Sequence, residues 1–224
     1  MKVNIAIDGP SGAGKSTVSK QLAEKLNYTF INSGSIYRAV ALNAINSGVD
    51  LKDHDQVVST LELGMVKLKE NDTVFLKGED VSLKIRAEYI SQSAATVAKI
   101  QEVRNFVVDF IQHMTKKSKG FIIDGRDTTF RIMPHAEVKI FLWANPEERA
   151  KRRWQQNKQL GYETNFEEVL YDVKKRDAQD MHREVDPLHK TEDSILIDCT
   201  QMTREEVIDK IVDIVNSKIK EQNA

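Results

Sequence analysis

Apolar and polar positions along this chain follow two rhythms. Short, nearly continuous apolar runs recur at Lys2–Asp8, Tyr28–Asn32, Gly120–Asp124, Val138–Trp143 and Ser194–Asp198. Runs of this length, several ending in a carboxylate or amide, are those of strands buried on both faces of a parallel sheet. Between them apolar residues recur at helical spacing. Val18, Leu22 and Leu26 make one stripe, Val103, Phe106, Val107, Phe110, Ile111 and Met114 a second, and Ile208, Ile211, Val212 and Val215 a third. Strands interleaved with amphipathic helices predict an α/β fold built on a five-stranded parallel core. Residues 52–90 break the rhythm. Met65–Lys69 and Thr73–Lys77 alternate apolar and polar around Glu70-Asn71-Asp72, which predicts an antiparallel hairpin in an insertion outside the core.

Helix boundaries are also written in the chain. Asn145-Pro146-Glu147-Glu148 offers an N-cap, a proline at the first helical position and acids in the first turn. Asn165 caps a further helix, and Thr203 with Glu206 forms a capping box for the last one. A helix opening in Ser33-Gly34-Ser35-Ile36-Tyr37-Arg38 should end near Gly48. There Ser33 and Ser35 read either as capping hydroxyls or as polar groups delivered to a ligand crevice, with Arg38 one turn further on. Arg149, Arg152 and Arg153 share one helix face; Arg176, Asp180 and Arg183 fall at i, i+4 and i+7. Either stripe can be a solvated face. Two such helices around a polar bend at Gly161 instead suggest a lid closing on phosphates. Arg104, beside the apolar stripe of its helix, reads equally as a solvated charge or a site residue.

Composition narrows the classes. The chain has 224 residues, 40% apolar and 30% charged, with a net charge of −1. That suits one soluble α/β domain with embellishments, or two small domains, and argues against a broad nucleic-acid-binding surface. No apolar run approaches membrane-spanning length. The single cysteine, Cys199, cannot form an internal disulfide and is expected as a buried thiol of a cytoplasmic protein.

The chemistry-bearing motif is Gly9-Pro10-Ser11-Gly12-Ala13-Gly14-Lys15-Ser16-Thr17, which fits G-x-x-x-x-G-K-[ST]. Its glycines let successive N–H groups converge on a phosphate, and the following helix adds the positive end of its dipole. Lys15 is placed to reach β- and γ-phosphates, and the Ser16 hydroxyl to ligate Mg²⁺. Strand, loop and helix follow in the order this P-loop requires. Downstream, Asp124-Gly125-Arg126-Asp127 closes an apolar strand with two carboxylates around an arginine. Asp-Gly is a common turn, yet that much charge at a strand's carboxyl end is costly unless a ligand or metal uses it.

Read together, these residues resemble the bacterial cytidylate kinases, a branch of the P-loop nucleoside monophosphate kinases, over essentially the whole chain. The anchors are residues 5–15, Ser33–Arg38, Glu79-Asp80-Val81 with Ile85-Arg86, Val103-Arg104, Asp124–Asp127, Val138–Leu142, Glu147–Ala150, and Arg176-Asp177 through Asp180 and Arg183. The resemblance implies one P-loop kinase domain with a core (1–35, 116–148 and 184–224), an NMP-binding region with the insertion (36–115) and a short helical lid (149–183). It implies transfer from ATP, with Mg²⁺, to CMP or dCMP in pyrimidine metabolism, by a cytoplasmic monomer with no nucleic-acid or membrane partner. Residue by residue, Ser33, Arg104 and Asp127 would read cytosine, and Arg38, Arg126 and Arg183 would hold phosphate. Arg176 and Asp180 would reach the sugar, and Tyr37 and Asp124 would join the substrate-binding set. The lid arginines Arg149 and Arg153 would close over ATP, with Lys15, Arg126, Arg153 and Arg183 as the catalytic charges. Ser16 would bind Mg²⁺ directly and Asp124 through water.

Where family members usually continue with a hydrophobic residue and Gly-Thr, this chain reads Thr128-Thr129-Phe130-Arg131, so acceptor preference or rate could differ here. The competing readings are a P-loop kinase for uridylate, adenylate or shikimate, and, in another class, a nucleotide-gated ATPase switch. An Asn-Lys-x-Asp base motif, which a GTPase switch would carry, is absent from the sequence.

Overall fold

The computed structural model describes residues 1–69 and 73–223. In chain order the elements are β1 (Ile5–Asp8), α1 (Lys15–Leu26), β2 (Thr29–Asn32), α2 (Ser33–Asn46), α3 (His54–Ser59), β3 (Val66–Lys69), β4 (Thr73–Leu76) and β5 (Glu79–Asp80). A short 3-10 turn (Lys84–Arg86), α4 (Glu88–Val97), α5 (Gln101–Lys117), β6 (Phe121–Gly125) and a π-helical turn (Thr128–Ile132) follow. The chain ends with β7 (Val138–Trp143), α6 (Pro146–Gln159), α7 (Phe166–His182), β8 (Ile195–Asp198) and α8 (Arg204–Asn223).

The five apolar runs are the five strands of one sheet, in the order β2-β6-β1-β7-β8. The pairs β1–β6, β1–β7 and β7–β8 are parallel, with Ile7 opposite both Asp124 and Ile140. Strand β1 lies between β6 and β7, whereas β7 and β8 are neighbours in both chain and sheet, and each parallel step needs a crossover. The chain divides into two compact units, residues 1–28 with 119–224, and residues 29–118.

In the first unit Ile5, Ile7, Ile122, Ile123, Ile140 and Leu142 form the dry centre of the sheet, and α1 and α8 pack around it. The two asparagine caps are in place: Asn145 accepts from the Glu148 N–H at 2.7 Å, and Asn165 from that of Glu167 at 2.9 Å. Thr203 and Glu206 cap each other reciprocally. Helices α6 and α7 form a hairpin over a small core of Ala150, Val169 and Val173 packed by Trp154, Phe166 and Leu170, with Gly161 in the left-handed region at the bend. Arg183 is not on α7 as its spacing predicts. The helix ends at His182, and Arg183 is extended (φ −63°, ψ 146°), its guanidinium turned to the Asp186 carbonyl.

The second unit contains the predicted hairpin, with Val66 opposite Leu76 and Lys69 opposite Thr73; its turn, Glu70-Asn71-Asp72, lies outside the described residues. Strand β4 stops at Leu76. Lys77 and Gly78 both take positive φ, the signature of a two-residue type I′ turn into β5. Neither β5 nor α3 and α4 follows from the apolar pattern. Strand β5 is two exposed acids held by backbone pairing. Helix α4 buries Ile90, Ala94 and Val97, a helical spacing diluted by the serines and alanines between them. Asn32, not Ser33 or Ser35, holds the N-cap position of α2, and both serines are buried within its first turn.

Candidate active site

The phosphate-binding motif sits where the sequence places it, between the end of β1 and the start of α1. Gly9 is required by its neighbour: a Cβ there would lie 2.0 Å from the Leu142 carbonyl oxygen of β7. Gly14 occupies the N-cap of α1 in the left-handed region; no side chain caps this helix and no acid lies in its first turn. The first amide groups of α1 and the positive dipole end are thus left to an anion.

Lys15 is almost fully buried and folds back onto the loop, its ammonium donating to the Gly9 and Pro10 carbonyls at 2.8 Å each. Burial, then the Arg126 guanidinium, pushes its pKa down to about 7, although Asp124, Asp8 and Asp180 pull the other way. Ser16 Oγ donates to Asp124 Oδ2 at 2.5 Å, and burial raises the Asp124 pKa against that hydrogen bond. A hydroxyl and a carboxylate are hard oxygen donors of the kind Mg²⁺ prefers, so this pair fits the ion the motif implies. Among the described residues, no cluster of three or more His, Cys, Asp or Glu side chains could hold a metal without other donors.

Asp8 is fully buried yet satisfied. Its carboxylate accepts from the Thr128 N–H (2.9 Å), the Thr129 N–H (2.8 Å) and the Thr129 hydroxyl (2.7 Å). The Thr128-Thr129-Phe130-Arg131 stretch therefore winds into the π-helical turn and ties it to the end of β1. Its other side chains reach the segment after α7. Phe130 stacks on His189 with centroids 4.3 Å apart, and Arg131 pairs with Asp186 at 3.8 Å. Arg183 donates through Nε to the Asp186 carbonyl at 2.7 Å and approaches Asp127 to 3.6 Å.

Within the first unit, then, the structure brings Lys15, Ser16 and Asp124 together, pairs Arg126 with Asp180 at 2.6 Å, and sets Arg183 against Asp127. Burial and the nearby Arg126 lower the Arg176 pKa. Arg153 is exposed on α6. Arg149 is placed differently from what the resemblance implies. It is wholly buried, forked onto Asp177 and bonded to the Ser11 and Ala144 carbonyls. Ser33, Tyr37, Arg38 and Arg104 belong to the second unit. There Arg104, 4% exposed rather than solvated, lies 6.0 Å from the Tyr37 ring centroid, and Arg38 folds back over Gly34. The sequence reading missed Asp8, Asp177 and Asp186. Asp177 adjoins Arg176 but was hidden by a stripe that paired Arg176 with Asp180.

Two outcomes follow from this geometry. Gly9→Ala should cost more than about 3 kcal/mol of stability, since backbone of β7 must move to admit one methyl group; urea unfolding within about 1 kcal/mol of the parent would contradict the close approach. Lys15 has a lowered pKa, so above pH 7 it is largely neutral in the free protein and must take up a proton to meet an anion. The Kd for ADP in EDTA should therefore rise at least about tenfold between pH 7 and pH 9. Calorimetric titration at the two pH values checks this, and a flat profile would contradict it.

Comparison with known proteins places the chain in a family. Residues 5–217 match the model of the family described as cytidylate kinase. The chain is 62% identical over 215 residues to the cytidylate kinase of Mycoplasmopsis synoviae, covering 96% of this chain and 99% of that one. It is 54% identical over 218 residues to that of Mycoplasmopsis agalactiae (97% and 99% covered) and 45% over 224 residues to that of Caldicellulosiruptor bescii (99% of each). A solved structure of an uncharacterized protein from Eubacterium ventriosum aligns with a TM-score of 0.54 at 16% identity, over 96% of this chain and 99% of that one, a likeness of fold alone. By its family match and by these relatives, the chain belongs to the cytidylate kinase family.

Proposed function

We propose that the protein transfers the terminal phosphoryl group of ATP to CMP or dCMP, giving ADP and CDP or dCDP. The observation that carries this reading is Asp127, a buried carboxylate at the end of β6 held beside Arg183, in the same unit as an uncapped P-loop helix. A carboxylate accepts from the exocyclic N4 amino group of cytosine, whereas uracil presents an acceptor there that would face the carboxylate unfavourably.

The nucleophile is a phosphate oxygen of the acceptor, with a second pKa of ~6, so no general base is required. Catalysis then rests on positioning and on neutralising charge. Lys15 and the first amides of α1 hold the donor phosphates. Ser16 and Asp124 would hold Mg²⁺, which would supply positive charge to the donor phosphates. Arg126, Arg183 and the exposed Arg153 supply positive charge to the migrating group. Asp180 holds Arg126 and, with Arg176, serves the acceptor sugar. In the second unit Arg104, backed by Tyr37, and Ser33 are the remaining base-reading groups, and Arg38 a phosphate contact. Excluding water during transfer keeps hydrolysis from competing.

A cytoplasmic monomer acting on free nucleotides completes the reading. The near-neutral net charge supports it, and no helix among the described residues is long and apolar enough to cross a membrane.

The test is selectivity. Asp127→Ala should reduce the CMP-over-UMP ratio of kcat/KM by at least about tenfold, the discrimination expected from one well-made base contact. The ratio isolates base reading from any general loss of rate caused by releasing Arg183. An unchanged ratio would show that the base is read elsewhere.

A further inference from the structure

Arg149 and Asp177 stand 28 positions apart on two helices, and neither is available to a ligand in the way the neighbouring charges are. Arg149 is 0% exposed. A guanidinium carries five N–H donors. Here Nε donates to the Ala144 carbonyl at 2.8 Å, Nη1 to the Ser11 carbonyl and to Asp177 Oδ1 at 2.9 Å each, and Nη2 to Asp177 Oδ2 at 2.5 Å. Four donor contacts are thus spent on protein oxygens. The Trp143 ring centroid lies 5.6 Å from its central carbon, and its aliphatic stem runs beside Gly12 of the P-loop. Nothing of this side chain is open to stack on a base or clamp a phosphate.

What it joins is informative. Ser11 is in the phosphate-binding loop, and Ala144 directly follows β7. Asp177 lies on α7 between Arg176 and Asp180. Asp180, one turn further along the same face, is paired with Arg126 at the end of β6. Helix α7 is therefore pinned at two points, once to the donor loop through Arg149 and once to the acceptor-side arginine. A buried ion pair is weak evidence for stability, because desolvation offsets much of its attraction; fixing register is its best-attested use.

We propose that Asp177, acting through Arg149, is a positioning residue that holds helix α7 in register with the P-loop, so that Arg176, Asp180 and Arg183 are aligned with the phosphoryl donor. This deepens, and rests on, the phosphoryl-transfer reading above. It also moves Arg149 from the ATP-binding set to the framework that orients that set. The bidentate fork is the reason for an arginine here: a lysine ammonium cannot bond both carboxylate oxygens and two backbone carbonyls in one plane.

The test compares Asp177→Asn, Arg149→Lys, the double variant carrying both, and the paired variant Arg149→Lys with Asp177→Glu, which returns the lost length to the pair. Misplacement of reacting groups by about 1 Å costs on the order of a hundredfold. Each single substitution should therefore lower kcat by about 10- to 100-fold while the KM values for ATP and CMP move less than about threefold. The double variant should be no worse than the poorer single, because both break one connection. The paired variant restores the ion pair but not all the carbonyl bonds, so it should recover about threefold or more in kcat over Arg149→Lys while staying below wild type. Wild-type kcat in Asp177→Asn with only a lower Tm would overturn the proposal, leaving a structural pair. So would an ATP KM raised tenfold by Arg149→Lys but not by Asp177→Asn, the mark of a direct ATP ligand. If Asp177→Asn does not fold, the paired variant decides: no recovery over Arg149→Lys refutes the proposal. Failure of the functional reading is distinct, for the unsubstituted protein would then show no CMP-dependent ADP formation.

Discussion

Full charges gathered at the carboxyl ends of β1 and β6 are the constraint on which the rest of this structure depends. Charges taken out of water must be paired or hydrogen-bonded. Here each has its own device. Asp8 takes two backbone amides and a hydroxyl from the π-helical turn, Asp124 takes the Ser16 hydroxyl, and Arg126 takes Asp180. Arg149 takes Asp177 and two carbonyls. Lys15 rests on neutral carbonyls and has its pKa pushed down to about 7. A phosphate is the partner that would restore its full charge, so the loop is built to be completed by an anion.

The same constraint accounts for what Thr128–Arg131 does. The stretch does not stand idle beside the site. Its backbone and the Thr129 hydroxyl satisfy Asp8, while Phe130 and Arg131 hold the segment whose Asp186 carbonyl anchors Arg183. Asp186 adopts positive φ, a conformation costly for a residue with a side chain, and the Arg131 pair and Arg183 bonds offset that cost. The stretch thus works through the support it gives the arginine and carboxylate next to it.

Much of this was legible in the chain because the signals are local. The P-loop occupies nine consecutive residues, the strand runs are continuous, and the caps at Asn145, Asn165 and Thr203 sit within three residues of the groups they satisfy. Signals that depend on two distant segments were not legible. Nothing in the spacing of Arg149 and Asp177 marks them as partners, and a stripe argument assigned Arg149 to solvent or ligand when its helix buries it. Arg183 was placed on a helix by extrapolating a period past the point where α7 stops. Helix α4 was lost because small residues bury a face without raising the apolar signal. Arg104 could not be decided from its pattern, since an arginine beside a core stripe is buried or solvated according to what packs over it.

The central claim is that one P-loop site in this protein moves a phosphoryl group from ATP to a cytidine monophosphate. It is tested most directly by ADP formation from ATP and Mg²⁺ with the unsubstituted protein and CMP, dCMP, UMP, AMP, shikimate or no acceptor. The account predicts that CMP and dCMP stimulate turnover far above every other acceptor. Equal or greater stimulation by UMP, AMP or shikimate, or turnover indifferent to any acceptor, would contradict it.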